Sequence, residues 1–140
     1  MKILIVGLGV QGQKRKKLLD KKFVFGTVDI KNKSADYKKI EQVPKDKYDS
    51  VFLCTPDSVK LKILNYCIKN KKNVLIEKPL VASTEAKIKK LETRANKVNL
   101  IFYSAYNHRF EPHFISIKKI INSNILGKIY YCHLFYGNGT

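Results

Sequence analysis

KILIVGLGVQG, residues 2–12, decides how this chain folds. Ile3 to Val6 form an unbroken apolar run that stops at a glycine, the pattern of a strand buried on both faces of a parallel sheet. Gly7 to Gly12 then read G-x-G-x-x-G, and residues 11–21 continue as a helix with Leu18 and Leu19 facing inward and lysines outward. Strand, glycine turn and helix in this order are the context in which the pattern binds a dinucleotide. Gly7 permits the tight turn, Gly9 lets the backbone approach a pyrophosphate, and Gly12 lets the helix pack close to the strand. Val10 and Gln11 lie at the helix N-terminus, whose unpaired N–H groups favour phosphate.

Working outward, residues 23–28 read as a second strand closing on Asp29, which follows Gly7 by 22 residues. That offset is near the ~20 residues expected of an acid that takes the ribose hydroxyls. Asp29, with Ile30 beside it, joins the predicted cofactor set. A carboxylate there repels a 2′-phosphate, yet Lys31 and Lys33 could pair with one, so the residues leave both NAD and NADP open. The stretch 32–47 is weakly patterned and reads as a short helix plus an edge strand near Ile40–Val43.

Further strands are expected at 51–54, 74–76 and 100–103, and a last one at 129–136. Helices are expected from Ser58 to Lys69, then after a cap at Ser83 or Thr84 (Ile88, Leu91, Ala95 and Val98 inward). A third should start at Pro112, with Phe114, Ile117, Ile120 and Ile121 inward. This alternation predicts a doubly wound, mostly parallel α/β Rossmann sheet with helices on both faces. The expected division is a cofactor domain over residues 1–120 and the opening of a second domain over 121–140.

Two further motifs fall at predicted strand ends, the edge where open α/β sheets bind ligands. Thr55-Pro56 should pack along the cofactor, and Glu77-Lys78-Pro79 should lie near its reactive end. Lys78 is the candidate catalytic residue: an ammonium fixed between glutamate and proline could hold a substrate hydroxyl and assist proton transfer. The plainer reading is a solvated loop lysine.

Composition bounds the function. The chain has 140 residues, 44% hydrophobic and 11% aromatic, which suits one folded core and not disorder. No apolar run approaches the ~20 residues that span a bilayer, so no membrane role is expected. The N-terminal apolar stretch leads into basic residues with no small-residue cleavage site, so it reads as a strand and not a leader. The expected location is cytoplasmic. The net charge of +17 would suit a polyanion, but only Arg15, Arg94 and Arg109 among the 28 basic residues are arginine. Lysines spread along the chain read as solvated faces, without specific nucleic-acid recognition. Cys54, Cys67 and Cys132 sit in apolar contexts without C-x-x-C spacing and read as free thiols. His108, His113 and His133 lack ligand spacing, so no metal site is expected.

Taken together, Gly7–Gly12, Asp29, Cys54-Thr55-Pro56, Val74–Leu80, Tyr106-Asn107-His108-Arg109-Phe110 and Leu126-Gly127-Lys128-Ile129 resemble the N-terminal part of one family. These are the glucose–fructose oxidoreductase, inositol dehydrogenase and rhizopine-catabolism proteins (Gfo/Idh/MocA). The resemblance implies an NAD(P)-dependent dehydrogenase acting on a sugar, cyclitol or nucleotide sugar. In such proteins the E-K-P lysine lies beside nicotinamide and substrate, and the asparagine–arginine segment lies near the nicotinamide end, which adds Asn107 to the cofactor set. Many members carry histidine where this chain has Lys60. The family's second domain, which binds substrate and often dimerises, is not found in these 140 residues. The resemblance thus implies a homo-oligomer at full length, and a 140-residue chain that binds cofactor but turns over poorly or not at all. The alternative is a non-catalytic nucleotide-binding or interaction module that pairs through its Tyr- and Phe-rich last strand.

Overall fold

Five strands line up in parallel in the order β2-β1-β3-β4-β5: β1 (Ile3–Val6), β2 (Val24–Val28), β3 (Ser50–Leu53), β4 (Asn73–Ile76) and β5 (Phe102–Ser104). Helices α1 (Val10–Leu18), α2 (Asp57–Lys69), α3 (Glu85–Asn96) and α4 (Pro112–Asn122) follow β1, β3, β4 and β5 in the chain. This is the doubly wound Rossmann arrangement. The computed structural model describes residues 1–81, 85–135 and 137; the expected caps Ser83 and Thr84 lie outside the described residues. The chain divides into two compact units, Met1–Ala105 and Tyr106–Thr140.

In the first unit every residue of β1 is buried, as its unbroken apolar run requires. Leu4, Val51, Leu53, Val74 and Ile76 meet Leu64, Cys67 and Ile68 of α2 and Leu91 and Ala95 of α3 in one apolar cluster. Each buried Val, Leu or Ile of this cluster contributes about 1.5–3 kcal/mol by leaving water. Because β1 feeds β2 on one side and β3 is laid on the other, strand order reverses at β1, which opens a crevice at the carboxyl ends of β1 and β3.

Several expectations are corrected. Leu18 is exposed and only Leu19 is half-buried. Seven residues at 100° each return Leu19 to the face of Gly12, whereas six turn Leu18 away. No strand forms at 40–43; the one pairing beyond β2 among the described residues is an isolated bridge between Val28 and Tyr37. Ile40–Gln42 instead form a 3-10 turn in which Ile40 and Val43 are both buried. Residues three apart eclipse on a 3-10 turn, so the spacing serves the core without a strand. Val98 lies beyond α3 and is exposed. Lysines are not confined to solvated faces: Lys72 Nζ donates to the carbonyls of Lys45 and Tyr48, both at 2.6 Å, and Lys60 is buried.

The second unit holds the 3-10 turn Asn107–Phe110 and α4, with Pro112 in its first turn as expected. No residue of α4 is buried; Phe114 is half-buried, and Ile117, Ile120 and Ile121 are exposed. Residues 129–135 form no strand. A strand exists through its ladder of hydrogen bonds, and residues 129–135 make no ladder among the described residues.

Candidate functional site

The glycine turn is built by contact. Gly7 leaves β1 with φ +93° and donates its N–H to Val28 O at 2.8 Å. A Cβ at Gly7 would stand 2.7 Å from the Cys54 carbonyl, and one at Gly12 would stand 1.8 Å from Gly7 O. Gly12 therefore lets α1 rest directly on the turn. Gly9 differs: it caps α1 in an extended conformation, and a Cβ there meets nothing within 4 Å. Gln13 N–H bonds Gly9 O at 3.0 Å to close the first helical turn, so the N–H groups of Val10, Gln11 and Gly12 precede the ladder. Val10 and Gln11 are exposed around this opening.

Asp29 is fixed across the crevice. Its Oδ2 accepts the Leu8 N–H at 2.7 Å, and its Oδ1 accepts the N–H groups of Lys31 and Asn32 at 2.8 Å each. Partial burial pulls its pKa upward, but these three backbone donors and the Lys38 charge outweigh that and hold the carboxyl below its usual range. It is ionised at neutral pH. Three of a carboxylate's roughly four acceptor sites are used, and the remaining capacity lies on Oδ2. Ile30, next in the chain, is 76% exposed.

At the end of β3, Cys54 N–H bonds Val6 O at 2.7 Å, and Thr55 follows with a buried Oγ1 that has no hydrogen-bond partner. A buried hydroxyl without a partner is costly, which marks this point as one that suits a polar ligand group. Burial, with the Glu77 charge adding and Arg15 and Lys60 opposing, pushes the Cys54 thiol up to about 12, so it is a neutral packing group. Pro56 caps α2 and is exposed.

At the end of β4, Glu77 is 7% exposed and its N–H bonds Leu53 O at 2.9 Å. Its carboxylate takes the Arg15 guanidinium, with Nε at 2.5 Å and a second nitrogen in contact. The Lys78–Pro79 peptide is cis, and the Lys78 side chain is exposed. Lys60 of α2 reaches this turn from beneath with Nζ 2.5 Å from Glu77 O, 2.5 Å from Pro79 O and 2.7 Å from Asp57 Oδ1.

The parallel sheet thus brings Gly7–Gly12, Asp29, Ile30, Thr55, Pro56, Glu77 and Lys78 to one edge. Asn107 lies in the second unit, where it opens the 3-10 turn and is exposed. Arg15 and Lys60 were not among the predicted site residues. Both carried a signal: Arg15 is three residues past Gly12 on the packed face of α1, and Lys60 shares the buried α2 stripe of Leu64 and Cys67. Among the described residues no group of His, Cys, Asp and Glu side chains could hold a metal ion, and no helix is long and apolar enough to cross a membrane.

A glycine turn of this kind on this sheet defines a dinucleotide-binding Rossmann fold. Residues 1–106 match the sequence profile of the Gfo/Idh/MocA oxidoreductase family with its NAD-binding Rossmann fold, and the chain belongs to that family. It is 24% identical to the myo-inositol 2-dehydrogenase of Thermotoga maritima over 91% of this chain and 42% of that protein. It is 28% identical to the trans-1,2-dihydrobenzene-1,2-diol dehydrogenase of Xenopus laevis over 77% of this chain and 33% of that one. An NAD-binding protein from Listeria innocua superposes with a TM-score of 0.69 at 22% identity, over 91% of this chain and 41% of its own. The chain therefore spans less than half the length of these relatives.

Proposed function

We propose that the chain is the cofactor-binding part of an NAD-dependent oxidoreductase. Its reaction is hydride transfer between the cofactor and a carbon bearing a hydroxyl or carbonyl on a sugar, cyclitol or nucleotide sugar. One observation carries the reading: the open space over Gly9, the Asp29 carboxylate and the unpartnered Thr55 hydroxyl lie along the same sheet edge as Lys78. These features fit a dinucleotide, and when bound it supplies the carbon that gives or takes the hydride.

The protein's part is binding, orientation and the proton. Gly9, Val10, Gln11 and Gly12 offer backbone N–H groups to a pyrophosphate, and Gly7, whose own N–H is held by Val28 O, makes the turn that presents them. Asp29, with Ile30 beside it, accepts a ribose hydroxyl on the free site of its Oδ2, and its ionised state disfavours a 2′-phosphate, which favours NAD over NADP. Thr55 and Pro56 line the cofactor, and Glu77 fixes the turn at its reactive end. Lys78 donates a hydrogen bond to the substrate oxygen and exchanges its proton as the carbon changes oxidation state. Asn107 is a cofactor contact on the family resemblance alone, as are a second domain opening at residue 121 and a homo-oligomeric full-length protein. The substrate class follows the matched relatives, which are named for inositol and for a dihydrobenzene diol, both ring alcohols.

The test is turnover by the full-length protein, read from reduced-nicotinamide absorbance with a panel of cyclitols and sugars. Lys78→Ala should abolish turnover while NADH affinity stays within about threefold. Turnover retained in that variant would contradict the role given to Lys78.

A further inference from the structure

Lys60 stands in the first turn of α2, where the helix dipole disfavours a cation. It is also 1% exposed, and a buried ammonium carries a heavy desolvation cost. Neither circumstance recommends a lysine for stability; an apolar side chain on the stripe of Leu64 and Cys67 would pack without that cost. What the position offers is acceptors. The ammonium has three donors, and they go to Asp57 Oδ1, Glu77 O and Pro79 O. The two carbonyls belong to the residues immediately before and after Lys78. Glu77 is held a second time, through its carboxylate, by Arg15 of α1. Lys78 is thus an exposed side chain between two neighbours whose peptide groups are tied to the core.

We propose that Lys60 is a positioning residue for Lys78: by binding the carbonyls on both sides of it, the Lys60 ammonium fixes the direction in which Lys78 projects along the ligand-binding edge. The inference rests on the function proposed above for Lys78. Without the ammonium, the buried Glu77 carbonyl and the partly buried Pro79 carbonyl lose their shared donor, and the turn must rotate for the buried one to find another. Two charge-assisted bonds to neighbouring peptides hold a backbone more firmly than neutral ones would.

The experiment follows Lys78 directly. Exposed lysines of the chain are reductively methylated with ¹³C-formaldehyde, the Lys78 resonance is assigned through Lys78→Arg, and its chemical shift is followed against pH. The parent, Lys60→Met and Lys60→Gln are compared, and NADH affinity is measured on unmethylated samples. In Lys60→Met the Lys78 resonance and its titration midpoint should move while most other lysine resonances hold, with NADH affinity within about threefold of the parent. Lys60→Gln, which keeps amide donors, should fall between the two. An unchanged Lys78 resonance and midpoint in folded Lys60→Met would overturn the proposal. Failure of both variants to fold would also overturn it, since Lys60 would then serve stability and not position. Absence of NADH binding by the parent would count against the proposed function, while the Lys78 resonance would still decide the role of Lys60.

Discussion

Two glycines of one motif should fail in different ways when given a methyl group. In Gly12→Ala the new Cβ would lie 1.8 Å from Gly7 O and 2.9 Å from Gly7 C, both backbone atoms that cannot rotate aside. α1 must then retreat by more than an ångström from the sheet it packs on. That belongs at the upper end of overpacking costs, about 3 kcal/mol. For a unit of this size it lowers the melting temperature by about 12–24 °C. In Gly9→Ala the Cβ meets nothing within 4 Å, and φ of −69° suits alanine. The weaker helix cap costs about 0.5–1 kcal/mol, and the gain from a less flexible unfolded chain offsets roughly as much. Its melting temperature should therefore stay within about 4 °C of the parent. Yet that methyl group occupies the space over which a pyrophosphate must approach, so NADH affinity should fall at least about tenfold. Scanning calorimetry and NADH titration of both variants provide the check. Gly9→Ala melting as low as Gly12→Ala, or binding NADH like the parent, would refute the division of labour.

Arg15→Met leaves the carboxylate of the buried Glu77 without its partner. Discounted for the partly exposed arginine, the cost should be about 2–3 kcal/mol by urea denaturation. Adding Glu77→Gln to that variant should recover about 1 kcal/mol, and a further loss would contradict the pairing. The thiols give a pH prediction. Burial pushes Cys67 up to about 12, as it does Cys54, whereas Cys132 is exposed. An acid whose folded pKa is raised contributes stability below its ordinary value near 9 and loses it as pH climbs toward the folded value. Denaturant midpoints should fall above about pH 9, and Cys67→Ala should flatten that fall. At mildly alkaline pH, Ellman's reagent should react quickly with Cys132 alone in the native chain and with all three thiols once unfolded; rapid reaction of Cys67 would contradict its burial.

The sheet was legible because its signals are local. The apolar run of β1 meets a G-x-G-x-x-G turn, and strands ending at Asp29, Thr55-Pro56 and Glu77-Lys78-Pro79 must share one edge once they are parallel. What escaped depends on partners that are distant in sequence. Leu18 looks inward by hydrophobicity, but Gly12 sets which face of α1 rests on the turn. Ile40 and Val43 fill the core from a 3-10 turn, and a three-residue spacing does not separate that from irregular chain. The aromatic stretch 129–135 has strand composition, but composition alone supplies no ladder partner, and the stretch forms no strand among the described residues. Lys60 reads as one more solvated lysine until α2 is placed beneath the turn after β4. Its position on the buried stripe of Leu64 and Cys67 was the available signal.

The central claim is that this chain holds a nicotinamide dinucleotide through Asp29 and the glycine turn. Calorimetric titration of the chain with NADH and NADPH, at moderate salt so that the +17 charge does not collect anions unspecifically, tests it directly. NADH should bind, NADPH should bind more weakly, and Asp29→Ala should cost NADH at least about tenfold while narrowing the difference between the two. If neither dinucleotide binds the folded parent chain, or if Asp29→Ala binds NADH as the parent does, the account is wrong.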